Sequence, residues 1–78
     1  MEEKLKNVMA NVFSIEVSEI EALSSPDTIV QWDSIGHLNL ITAVEEEFNI
    51  FFDEDQIIQM LNFQLVVEIT KEAVEASK

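Results

Sequence analysis

The residues of this chain that could do chemistry are few, and most lie in one stretch. Ser34 stands between Asp33 and Ile35, with His37 three residues further on. A serine, a histidine and a carboxylate so close together raise the prospect of a hydrolytic triad. The spacing argues against it. His37 turns toward the core face of the helix predicted here, and so small a chain can hardly supply an oxyanion hole and substrate pocket beside Ser34. No catalytic residue is assigned. As the target of another enzyme, Ser34 needs only exposure and a docking surface around it. The second cluster, Asp53-Glu54-Asp55, invites comparison with a calcium loop. A loop begun at Asp53 needs glycine at its sixth position and glutamate at its twelfth, where the chain has Ile58 and Gln64. The triplet reads as a solvated helix start, and no metal site is assigned.

The element that must position Ser34 is a helix running to Phe48. Asp33 is a good N-cap, and Ser34 takes the first helical position. At about 100° per residue, Leu40, Ile41, Val44 and Phe48 share one face, with His37 among them, and this is the predicted core side. A second, shorter apolar strip holds Ile35, Leu38 and Thr42, flanked by Asn39, Glu45 and Glu46. One stripe suffices to pack a helix into a small domain, so the second strip predicts a partner. Unpaired amides and the positive end of the helix dipole make the position of Ser34 hospitable to a phosphodiester.

The rest of the chain supplies the body that carries this helix. Leu5, Val8, Met9, Val12 and Phe13 repeat with helical spacing and predict a first helix over 2–13. Residues 14–32 form a long first loop. Ser18 and Glu21 have capping-box spacing, and Ser24-Ser25-Pro26-Asp27 signals a turn. Val17, Ile20, Leu23, Ile29 and Val30 are candidate anchors for the loop, and Trp32 is expected to pack its ring against the loop or the helix start. A short helix is predicted over 54–61, with Ile57, Ile58, Met60 and Leu61 available for burial. Asn62 then caps a last helix over 63–76, whose broad apolar arc faces more than one neighbour. The predicted fold is all-α: a compact four-helix bundle of three main helices and one short one, forming a single domain over 1–78.

Composition narrows the partners. Sixteen acidic residues against four basic ones give a net charge of −12, which repels nucleic acid and anionic membrane and attracts proteins with basic patches. A hydrophobic fraction of 47% excludes a disordered acidic tail. The absence of cysteine removes disulfides and thiolate chemistry. An acidic N-terminus without a continuous apolar run is not a signal peptide, and nothing reaches membrane-spanning length, so a cytoplasmic monomer without membrane insertion is expected.

Asp33-Ser34-Ile35, followed by an amphipathic helix ending in Glu-Glu-Glu-Phe, resembles the Asp-Ser-Leu region of acyl carrier proteins. The resemblance implies that Ser34 carries a covalent 4′-phosphopantetheine arm drawn from coenzyme A, whose thiol holds acyl groups as thioesters. It implies that Asp33 helps a phosphopantetheinyl transferase recognise the site. It also implies that Ile35, Leu38, Asn39, Thr42, Glu45 and Glu46 face partner enzymes for acyl loading, condensation or acyl transfer, in fatty-acid, lipid or specialised polyketide-type pathways. Gly36 and Asn39 stand where fatty-acid carriers of this family commonly have acids, which points to a specialised rather than housekeeping carrier. Two alternatives remain at the level of sequence. One is an amino-acid or hydroxy-acid carrier in secondary metabolism or envelope modification; the other is an acidic helical adaptor that never receives the arm.

Overall fold

The computed structural model describes residues 1–77. Glu2 and Glu3 suit the positive end of a helix dipole, and the apolar repeat behind them forms α1, Glu2–Phe13. Ser14 ends it in the left-handed conformation, and the next amide closes the turn by donating to Ala10 O at 3.0 Å. The chain then makes one 3₁₀ turn, Val17–Glu19, before the long loop leads to α2, Ser34–Phe48. Asn49, also left-handed, closes α2. Helix α3, Glu54–Gln59, is a turn and a half long, and α4, Phe63–Ala76, completes an all-helical fold. No strand occurs among the described residues, and none of their helices is long and apolar enough to cross a membrane.

One core joins all parts. Leu5, Met9 and Phe13 of α1 meet Leu40 and Val44 of α2 and Phe63 and Val66 of α4, and Trp32 fills the end near the start of α2. Every one of these side chains is buried, so each contributes roughly 1.5–3 kcal/mol of transfer free energy relative to an exposed position.

The long loop is tied down in a way that local patterning does not reveal. The first amides of α4 have no partners within their own helix. Phe63 N–H donates to Ser24 O at 2.8 Å and Gln64 N–H to Ala22 O at 3.0 Å, while the Asn62 side chain accepts from Leu65 N–H at 2.8 Å. The loop therefore caps the last helix, with Ser24 itself buried. Of the five expected loop anchors, Ile20 and Ile29 are buried, whereas Val17, Leu23 and Val30 are exposed. The capping box expected from Ser18 and Glu21 does not form. Ser18 lies inside the 3₁₀ turn, the Glu19 carboxylate accepts from Glu16 N–H at 2.9 Å, and Glu21 N–H donates to Ser24 Oγ. Ile20 takes extended backbone and turns inward to the core, which ends the turn there.

Two further expectations shift. Helix α3 stops at Gln59 because Met60 leaves helical backbone and enters the core. Ile57 is half-buried and Ile58 and Leu61 are exposed, so only one of the four residues expected for burial is fully covered. Phe48 is half-buried rather than central, with Lys4 Nζ 5.5 Å from its ring centroid and 3.8 Å from Glu47. Both contacts are exposed, and the ion pair contributes at most about 1 kcal/mol.

Candidate functional site around Ser34

Asp33 takes extended backbone, and its Oδ1 accepts from Gly36 N–H at 2.7 Å, as an N-cap does; such caps contribute about 1 kcal/mol. Ser34 is thereby held at the first helical position, and it is exposed. Neither its hydroxyl nor the amides of Ser34 and Ile35 bond to any of the described residues. A nucleophile thus sits at the positive end of a fifteen-residue helix with two amide donors beside it.

Gly36 is what allows the chain to enter α2 at this angle. Its backbone is ordinary helix, so the requirement is space. A Cβ at this position would overlap the carbonyl oxygen of Gln31 and come within 3.2 Å of the Asp33 carboxylate. The glycine therefore meets a steric requirement, which stands beside the expectation that negative charge is missing at position 36. Asn39, exposed on the same helix, is the second such position.

On the far side of Ser34, Trp32 is 1% exposed. Its indole Nε1–H donates to His37 Nδ1 at 2.9 Å, the two rings stack with centroids 6.2 Å apart, and the Phe13 ring centroid lies 5.8 Å from that of Trp32. An indole N–H can only donate, so Nδ1 holds the lone pair and Nε2 holds the hydrogen. That hydrogen points at Ile57 O in α3, 2.9 Å from Nε2. His37 is thus a satisfied, half-buried bridge, and it is not positioned to activate Ser34. The turn of His37 toward the core side followed from spacing, while its bond to α3 lay outside what spacing could suggest.

Ser34, Asp33, Trp32 and His37 form one bank of an open groove of about 530 Å³. The other bank is Val30, Ile58 and Leu61, all exposed. These three are residues expected to be buried, and nothing in their spacing signals that they gather beside Ser34. Asp33 and His37 are the titratable residues of the groove lining; the Asp33 carboxylate is engaged as the cap, and both ring nitrogens of His37 are bonded elsewhere. The arrangement suits presentation of a serine to an outside enzyme better than chemistry of its own.

The second strip of α2 lies on the surface as spacing requires: Ile35 is 71% and Leu38 60% exposed, with Thr42, Asn39 and Glu46 exposed beside them. Glu45 differs. Its carboxylate accepts from Phe52 N–H at 2.8 Å and so pins the segment leading to α3. It is half-buried, and at least one of its oxygens is committed to the fold.

No family model matches the chain, and no curated protein matches it in sequence. Among solved structures, it is similar to the solution NMR structure of the holo acyl carrier protein from Geobacter metallireducens. The likeness has a TM-score of 0.88 and covers 97% of this chain and 87% of the other at 21% sequence identity. Near-complete superposition at so low an identity rests on the path of the helices, and the chain has the fold of that acyl carrier protein.

Proposed function

We propose that this chain is an acyl carrier protein, one domain over 1–78, whose Ser34 is modified with 4′-phosphopantetheine. The observation that carries the reading is the placement of Ser34: an exposed hydroxyl without a hydrogen-bond partner among the described residues, at the capped start of α2 and on the bank of an apolar groove, in a fold shared with an acyl carrier protein. The residues fit the group. The amides of Ser34 and Ile35 and the dipole of α2 favour a phosphodiester on the serine oxygen. The groove beside it is apolar enough to receive an uncharged chain. When attached, the arm supplies a thiol that holds acyl groups as thioesters.

The chain's own residues do the presenting. Asp33 fixes the helix start and stands beside Ser34 where a phosphopantetheinyl transferase must approach. Ile35, Leu38 and Thr42 offer apolar contact, and Asn39, Glu45 and Glu46 border it. Acyl-loading, condensing and acyl-transfer enzymes with basic patches are the matching partners, steered by a net charge of −12. The protein is in this reading a cytoplasmic monomer and not an enzyme, serving a dedicated fatty-acid, lipid or polyketide-type set of enzymes.

The test is intact mass after incubation with a broad-specificity transferase and coenzyme A. The wild type should gain one phosphopantetheinyl group, and Ser34→Ala should gain none while keeping its helical circular dichroism. A wild type that stays unmodified supports the acidic adaptor instead, and a modified Ser34→Ala places the site elsewhere.

A further inference from the structure

Helix α3 is held to the bundle by few attachments. It buries none of its own residues completely, and it is kept in place by Phe52 before it, Met60 after it and the hydrogen bond from His37 to Ile57 O. Among the described residues, that bond is the single hydrogen bond joining α2 directly to α3. It crosses the seam between the two helices, beside the groove on which Ser34 lies. Any apolar chain passing from Ser34 into the core through this seam must push α3 away from α2. That movement breaks the His37–Ile57 bond and leaves the Ile57 carbonyl and His37 Nε2 without each other. Behind the seam, the space is already filled by Trp32, Leu40 and Met60, none more than 2% exposed. Outside it, Val30, Ile58 and Leu61 stand 89%, 64% and 64% exposed along the groove.

We propose that His37 is a specificity-determining residue: by tying α2 to α3 it keeps the seam shut, so that acyl cargo lies in the outer groove against Val30, Ile58 and Leu61 rather than in the core. The proposal rests on the carrier reading given above. The latch works through two bonds of one ring. Trp32 fixes the tautomer by occupying Nδ1, which leaves the Nε2 hydrogen for the carbonyl of α3. A bond between neutral groups of this kind corresponds to about a two- to tenfold bias toward the closed seam. A groove of about 530 Å³ lies within the size range of small-ligand sites, and its exposed apolar bank gains from being covered.

The experiment loads Ser34 with acyl-phosphopantetheine from butyryl- or octanoyl-coenzyme A, checks loading by intact mass, and compares ¹H–¹⁵N spectra. In the wild type, octanoyl in place of butyryl should move the amides of Val30, Ile58 and Leu61 and leave Leu40, Val44 and Val66 unmoved. In His37→Ala, octanoyl should move Leu40 and Val66 as well. His37→Gln, whose side-chain amide can still donate to Ile57 O, should behave as the wild type does. Should His37→Ala not fold, His37→Phe, which keeps a ring in place and removes the Nε2 donor, replaces it with the same expected outcome. Core shifts in octanoyl-loaded wild type as large as those in the variant overturn the latch, as does a variant whose core stays unmoved. A wild type that gains no mass fails the carrier reading and takes this proposal with it, so the two failures are told apart before any spectrum is recorded.

Discussion

Replacing Gly36 with alanine tests how α2 is launched, because two effects of opposite sign meet there. In an open helical position, alanine in place of glycine stabilises by about 0.5–1 kcal/mol through reduced backbone entropy. At Gly36 the new Cβ overlaps the Gln31 carbonyl oxygen, lies 3.2 Å from the Gln31 carbonyl carbon and 3.2 Å from Asp33 Oδ1. Two of these three neighbours are backbone atoms, and the third is a side-chain oxygen held in place by the cap bond to Gly36 N–H. Relief requires the segment 31–33 to withdraw, and Trp32 within it is packed in the core. Overpacking of this kind costs about 1–3 kcal/mol, and loss of the cap adds about 1 kcal/mol. The steric cost exceeds the propensity gain, and Gly36→Ala should be destabilised by about 1–3 kcal/mol net. A domain of this size has roughly 4–12 kcal/mol in all, so the midpoint of thermal unfolding should fall by about 5–20 °C. Urea and thermal melts followed by far-UV circular dichroism measure it, with Asn39→Ala on the exposed side of α2 as the control, expected at or slightly above wild type. A Gly36→Ala protein as stable as wild type would refute the reasoning, since Gln31 would then withdraw at no cost.

Emptying the core side of α2 by Leu40→Ala should cost about 2–5 kcal/mol in urea melts, whereas Leu38→Ala, on the exposed strip, should cost under about 1 kcal/mol; equal costs would dissolve the two-faced description of the helix. Glu45→Ala should destabilise by about 1.5–3 kcal/mol, since it strips the acceptor from Phe52 N–H, while Glu46→Ala should stay within about 0.5 kcal/mol, the same melts deciding. Thr70 is completely buried in α4 with its hydroxyl unpartnered among the described residues, so Thr70→Val should stabilise by about 1–3 kcal/mol; a loss on that substitution would mean that the hydroxyl has a partner.

What could be read in the sequence was what depends on near neighbours along the chain. The caps Asp33 and Asn62 each satisfy an amide three residues on, and both were legible for that reason. The core side of α2 at Leu40, Ile41 and Val44 followed from helical spacing, as did the exposure of Ile35 and Leu38. What spacing missed depends on contacts brought together from afar. The loop carbonyls of Ala22 and Ser24 find the start of α4 some forty residues later, and this sets which loop residues turn inward. Leu23 and Val30 looked like anchors because they are apolar, yet pattern alone has no means of distinguishing them from Ile20 and Ile29. The glycine at 36 answers to a backbone oxygen of the preceding loop, so its meaning waited on three-dimensional placement. At the site, Ser34 and its cap were legible. The groove beside them was not, because its far bank comes from Val30 and from α3 with the residues after it.

The central claim is that Ser34 carries the arm in the cell. The most direct measurement is to isolate the protein from its own cells, digest it, and locate modification by tandem mass spectrometry with and without hydroxylamine. A phosphopantetheinyl group is expected on the peptide containing Asp33-Ser34-Ile35, in part extended by an acyl mass that hydroxylamine removes, as a thioester requires. Protein recovered wholly unmodified at Ser34, or modified on Ser14, Ser18, Ser24, Ser25 or Ser77 instead, would contradict it.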